Sequence, residues 1–167
     1  MKLYIATLIV FLSGVTALSA QKFGYVNSQA LLLSMQEIKT ADDELLSYQN
    51  ELVTQGEQMV KKFESSYQTY LKEVNDGSLS KLQMQEKEAS LAQEQQSIQA
   101  FEVEVQNLLA TRKQTLYEPI LQRVQEAVNK LGADEGYTFI FDTSGGGILF
   151  AVEAEDVTNK LKIVLGI

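Results

Sequence analysis

Residues 31–59, LLLSMQEIKTADDELLSYQNELVTQGEQM, decide the fold of this chain. Leu31, Ile38, Leu45, Leu52 and Met59 recur every seven residues, and Ala41 and Tyr48 stand three residues after Ile38 and Leu45. That spacing is a heptad seam, and it predicts a long helix packed along a partner helix. The register then slips by four: Phe63, Tyr67, Tyr70 and Val74 carry the apolar stripe on at helical spacing, which reads as a stutter. No proline interrupts residues 29–74, and Gly56 is the only glycine there. Gly56 and the stutter are the candidate bend points.

Downstream, Val74-Asn75-Asp76-Gly77-Ser78 predicts a turn, with Ser78 or Ser80 capping a second helix that runs to about Leu131. Gly132 is expected as its C′ residue. The second apolar stripe includes Met84, Leu91, Ile98, Val105, Leu109, Leu116 and Val124. Folding the chain back about Gly77 sets Tyr70 opposite Met84, Phe63 opposite Leu91, Leu45 opposite Leu109 and Ile38 opposite Leu116. An antiparallel hairpin of roughly 43 residues a side is about 65 Å long at ~1.5 Å per residue. Pro119, the only proline, predicts either a kink or a helix break and restart near residues 116–120.

The flanks change class. Residues 22–27, KFGYVN, read as a strand. Residues 137–142, YTFIFD, read as a second, residues 143–147 as a hairpin loop, and residues 148–152, ILFAV, as a returning third strand. Asp156 is placed to cap a final helix bearing Val157, Leu161, Val164 and Leu165. The expected class is therefore α+β, mainly α: a long antiparallel helical hairpin, residues 35–117 with its tip near 75–78, inserted in a small β-rich body of residues 21–34 and 118–167. A three-stranded sheet has two open edges, and closing them between copies of the chain predicts a symmetric homo-oligomer; the alternative is a monomer whose final helix covers the sheet. Tyr25, Val26, Phe139, Phe141, Ile148 and Phe150 are assigned to that oligomerisation body.

The amino terminus reads as an address. Met1-Lys2 precedes the apolar run LYIATLIVFL and a small-residue end, SGVTALSA, which is the layout of a secretory signal peptide cleaved after Ser19 or Ala20. An uncleaved anchor is the alternative, but Gly14, Thr16 and Ser19 make a poor span. Cleavage removes only Lys2 among the charged residues, so 14 basic residues become 13 against 22 acidic.

Composition excludes much chemistry. The 167 residues contain no His, Cys or Trp, so there is no Ser-His-Asp triad, cysteine nucleophile or ordinary zinc site. No D-x-D-x-D-G calcium loop is present, Gly145-Gly146-Gly147 lacks the lysine of a phosphate-binding loop, and no two acids are set in a desolvated pocket. No catalytic residue, cofactor or metal is expected. The net charge of −8 argues against nucleic acid and lends no support to membrane-surface contact. The hairpin's outer faces are rich in Gln, Ser, Glu and Lys. Met59, Tyr67, Tyr70 and Met84 are candidate contacts for a partner without fixed shape, since Met is pliable and Tyr amphipathic. The bland alternative is that they complete the hairpin core.

KFGYVNSQALL behind a signal peptide, a long Gln-rich hairpin, and YTFIFDTSGGGILFAVEAEDVTNKL at the end resemble the Skp/OmpH family of periplasmic chaperones. The resemblance covers the mature chain and lies in the order of elements. It implies a homotrimer with a β-barrel body and three helical tentacles around a cavity. It also implies periplasmic, ATP-independent capture of unfolded outer-membrane proteins. The best-known members are strongly basic, with basic tips suited to lipopolysaccharide. This chain departs from that pattern, being acidic with a balanced tip, so its charge leaves a lipopolysaccharide site open rather than implied. The rival reading is a structural coiled-coil spacer of the envelope that binds one folded partner. A carboxylate-only hydrolase is the remote third.

Overall fold

The computed structural model describes residues 21–167, so the expected signal peptide lies outside the described residues. The element order is β1 (Lys22–Val26), α1 (Ser28–Leu33), α2 (Gln36–Asn75), α3 (Lys81–Glu135), β2 (Tyr137–Asp142), a 3₁₀ turn (Glu153–Glu155) and α4 (Thr158–Leu165). It forms two compact units: Gln29–Glu126 is one, and the described residues through Ser28 with Ala127–Ile167 are the other.

In the first of these, α2 and α3 make the expected helical hairpin. The helix expected to run unbroken from residue 29 is instead interrupted between α1 and α2. The Ser34 hydroxyl and N–H both donate to the Leu31 carbonyl, at 2.6 and 3.0 Å, which closes a turn in place of a helical bond. Met35 follows and is fully buried.

The hairpin turn is built as the sequence requires. Past Asn75 the backbone turns left-handed at Gly77, and the Ser78 N–H reaches back 3.1 Å to the Glu73 carbonyl in a Schellman-type closure. Ser80, rather than Ser78, caps α3. Its N–H donates to Gln83 Oε1 (2.9 Å) while its Oγ accepts from the Gln83 N–H (3.3 Å), a reciprocal capping box.

That longer turn resets the pairing. Glu37 meets Arg123 and Glu73 meets Lys87, both centred on residue 80, while Glu44–Arg112 and Lys62–Glu94 are centred on residue 78. Gly56 packs at 3.5 Å from the Phe101 ring. The expected pairing about Gly77 is thus displaced by roughly one helical turn. A one-turn slip keeps apolar stripe against apolar stripe, so the stripes alone do not distinguish the two registers.

α3 runs through Pro119 and past Gly132, so the helix neither restarts at the proline nor ends at the first glycine. It ends at Gly136, whose φ of 71° is the left-handed conformation that a side chain disfavours.

In the other unit, β1 and β2 form a two-stranded parallel sheet, with Phe23 beside Phe139 and Tyr25 beside Phe141. Parallel pairing follows from the long helical connection between the strands. Residues 148–152 do not form the expected returning strand. The chain instead reaches the neighbourhood of β1, where Tyr25 bridges Asp156 and the Val157 N–H donates to the Tyr25 carbonyl at 2.9 Å. Asp156 Oδ1 accepts the Thr158 N–H at 2.8 Å in a turn just ahead of α4, but the N-cap position is Val157 rather than the expected Asp156. Val157, Leu161 and Leu165, one face of α4, are buried, as are Val26, Ala127 and Leu131. Gly24 sits where a Cβ would lie 2.9 Å from Val157 Cγ1 and 3.0 Å from the Tyr137 ring.

Candidate interaction surfaces

The described residues hold no group of three or more metal-ligating side chains, and no helix among them is long and apolar enough to cross a membrane.

The strand unit carries two polar knots. Asp142 accepts hydrogen bonds from the Ser28 Oγ (2.6 Å) and N–H (3.1 Å), and from the Ser144 N–H and Oγ (both 2.9 Å). Burial would raise its pKa, but these four donors outweigh it and hold the carboxyl down at about 2. Glu135 accepts from Lys160 (2.5 Å) and Lys22 (3.0 Å), and both ammonium groups also lie over the Tyr137 ring. The hydrogen bonds from Lys160 and then Lys22 lower the Glu135 pKa, and Lys160 is raised to about 12 in return.

Beside these knots lies an apolar face. Phe23 stacks on Phe139 at 6.0 Å and approaches Phe141 at 6.3 Å, yet all three rings are exposed. Phe23, Tyr25, Phe141, Ile148 and Phe150 line one apolar groove. Of the residues assigned to the body core, Val26 is buried and Tyr25 and Ile148 half-buried. Phe139 and Phe141 are exposed in the single chain, and Phe150 is 84% exposed. These rings are therefore not part of this chain's own core.

Along the hairpin, burial is graded. Leu31, Met35, Ile38, Ala41, Leu52 and Val124 are buried, but no residue from Val53 to Arg123 is. Of the candidate contacts, Met59 is half-buried in a cleft with Ser90, Glu94 and Ile98. Glu94 in that cleft pairs through one oxygen with Lys62 at 3.3 Å. Tyr70 is half-buried, and its hydroxyl donates to Glu88 at 2.5 Å, which raises the phenol's pKa. Met84 is half-buried. Tyr67 is exposed and stacks on Phe63 at 6.2 Å.

A second row escaped the sequence reading. Leu46, Val53, Val60 and Tyr67 also recur every seven residues, the first three each one position after a seam residue and Tyr67 where the stripe continues past the stutter, and they are 57, 51, 41 and 43% exposed. The signal was present in the sequence, but it was hidden beside the stronger seam.

The comparisons with known proteins point one way. A family model described as "Outer membrane protein (OmpH-like)" matches residues 22–165. The fold is similar to that of a putative outer membrane chaperone (OmpH-like) from Caulobacter crescentus, with a TM-score of 0.74 at 12% identity, over 91% of this chain and 88% of that one. No curated protein matches the chain by sequence.

Proposed function

This chain belongs to the OmpH-like outer membrane protein family, and from that premise we propose that it is a periplasmic, non-enzymatic holding chaperone. It binds unfolded outer-membrane β-barrel proteins and keeps them from aggregating, without nucleotide. The observation that carries the reading is the graded burial of the hairpin. From Val53 to Arg123 no apolar residue is withdrawn from solvent completely, and several are more than 40% exposed. A surface of that kind offers many shallow contacts and no fixed pocket, which suits a partner without fixed structure. Met59, Tyr67, Tyr70 and Met84 belong among those contacts in this reading.

The working unit is a homotrimer. Exposed Phe139, Phe141, Leu149 and Phe150, with the open edge of β2, are surfaces that copies of the chain would cover. The acidic charge leaves capture to weak apolar contact rather than to attraction of acidic clients.

The test is aggregation suppression. Residues 21–167 are added to a urea-unfolded outer-membrane β-barrel protein, the mixture is diluted, and light scattering is followed without ATP. Suppression saturating at one trimer per client is expected. A folded, helical protein that suppresses nothing would replace the holdase with a spacer that binds one folded envelope partner.

A further inference from the structure

We propose that the row Leu46, Val53, Val60 and Tyr67 on α2 is the track along which the client lies, and that it selects apolar segments carrying positive charge. The inference rests on the holdase reading and names the surface and the client chemistry within it.

The row is a surface feature. Its members are exposed, while the seam residues one position before the first three are half-buried at Leu45 and Met59 and buried at Leu52. Residues seven apart drift by only ~20° around a helix, so the four stay on one face, about 10 Å apart.

A folded helix is a poor occupant. A coiled-coil partner needs two apolar positions in each heptad; the position three after Leu46 is Gln49 and the position three after Val53 is Gly56, so that pattern begins only at Val60 and Tyr67, which Phe63 and Tyr70 follow. Leu46 and Val53 are single apolar side chains spaced by polar turns, and Tyr67 adds an exposed ring stacked on Phe63, so the row gives separate footholds rather than one continuous seam. An unfolded chain can use such footholds and slide between them.

The charge around the row indicates which chain fits. Asp43 lies three residues before Leu46, Glu57 four after Val53 and Glu64 four after Val60, and all three acids are exposed. Each therefore stands one turn from a foothold on the same face. An apolar segment bearing Lys or Arg meets complementary charge there, and one bearing Asp or Glu is repelled.

The experiment uses the mature chain and two fluorescent unfolded peptides of identical apolar sequence, one flanked by lysines and one by aspartates. Three proteins are compared: wild type, the row variant L46Q/V53Q/V60Q/Y67Q, and a control, L82Q/V103Q, which removes two apolar residues that are 64 and 67% exposed elsewhere on the hairpin. Gln keeps helix propensity and exposed positions tolerate it, and circular dichroism verifies the fold.

The row variant is expected to lose on the order of tenfold in affinity for the lysine-flanked peptide, about 1.4 kcal/mol, and the control to lose nothing measurable. The wild type is expected to prefer the lysine-flanked peptide, with the gap closing at high salt. Unchanged binding by the row variant, while the wild type still suppresses aggregation, overturns the track and leaves the chaperone reading standing. A change in oligomer size with binding intact assigns the row to a second copy and also overturns it. A wild type that binds neither peptide and suppresses no aggregation removes both readings.

Discussion

The hairpin has two regimes along one pair of helices. Up to Leu52 the α2 seam holds buried Ile38, Ala41 and Leu52 among half-buried Leu45 and Tyr48, and on α3 Val124 is buried. Between them every seam residue is at best half-buried, and polar ties such as Tyr70–Glu88, Glu73–Lys87 and Lys62–Glu94 bridge the helices. The same heptad logic thus gives a stretch of α2 with fully buried seam residues and a longer stretch with none, while polar ties bridge the helices in both. The difference lies in how completely each apolar residue leaves water, because the hydrophobic contribution scales with the area removed. It teaches that seam periodicity specifies which face pairs, but not how tightly.

The largest effect expected from breaking the comparison is in the closed region. Leu52→Ala, and likewise Leu161→Ala under α4, should cost about 2–5 kcal/mol, whereas Leu91→Ala in the half-buried stretch should cost well under half as much. Thermal unfolding of the three variants measures the contrast directly, and equal losses would remove it. Hydrogen exchange sharpens the same point: amides of residues 60–95 should exchange faster than those of residues 36–52, since sparse burial permits local opening.

Next in size is Gly24→Ala. A methyl 2.9 Å from Val157 Cγ1 forces the strand and α4 apart, at about 1–3 kcal/mol, readable as a lowered denaturation midpoint with an unchanged slope.

A smaller effect comes from acid. Asp142 is held at about 2 in the folded chain, below its ordinary value of 3.8, so its contribution is present above about pH 4 and is lost as pH falls towards 2. Glu135, also lowered, adds to the same limb. Melting temperature against pH should fall over that window, and more steeply in the wild type than in Asp142→Asn.

The smallest stability effect belongs to the exposed row. Val60→Ala should change unfolding by less than about 0.5 kcal/mol, as exposed substitutions do, and any cost should fall on client binding instead.

Several features were legible in the residues because the rules behind them are local. The seven-residue spacing of Ile38 to Met59 names α2 and its paired face, Asp76-Gly77 the reversal, and KFGYV and YTFIFD the strands. The candidate contacts were less legible, because Met59, Tyr70 and Met84 are half-buried and the sequence does not reveal burial by degrees.

Tertiary structure alone decided the rest. It chose the pairing register, because two stripes slipped by one turn still match and only the Ser80–Gln83 cap fixes where α3 begins. It decided that Ser34 breaks the first helix, through competition for the Leu31 carbonyl. It also left ILFAV without a strand partner, because β1 takes β2 on one side and bridges Asp156 through Tyr25, and pairing partners are a property of the whole fold rather than of any segment.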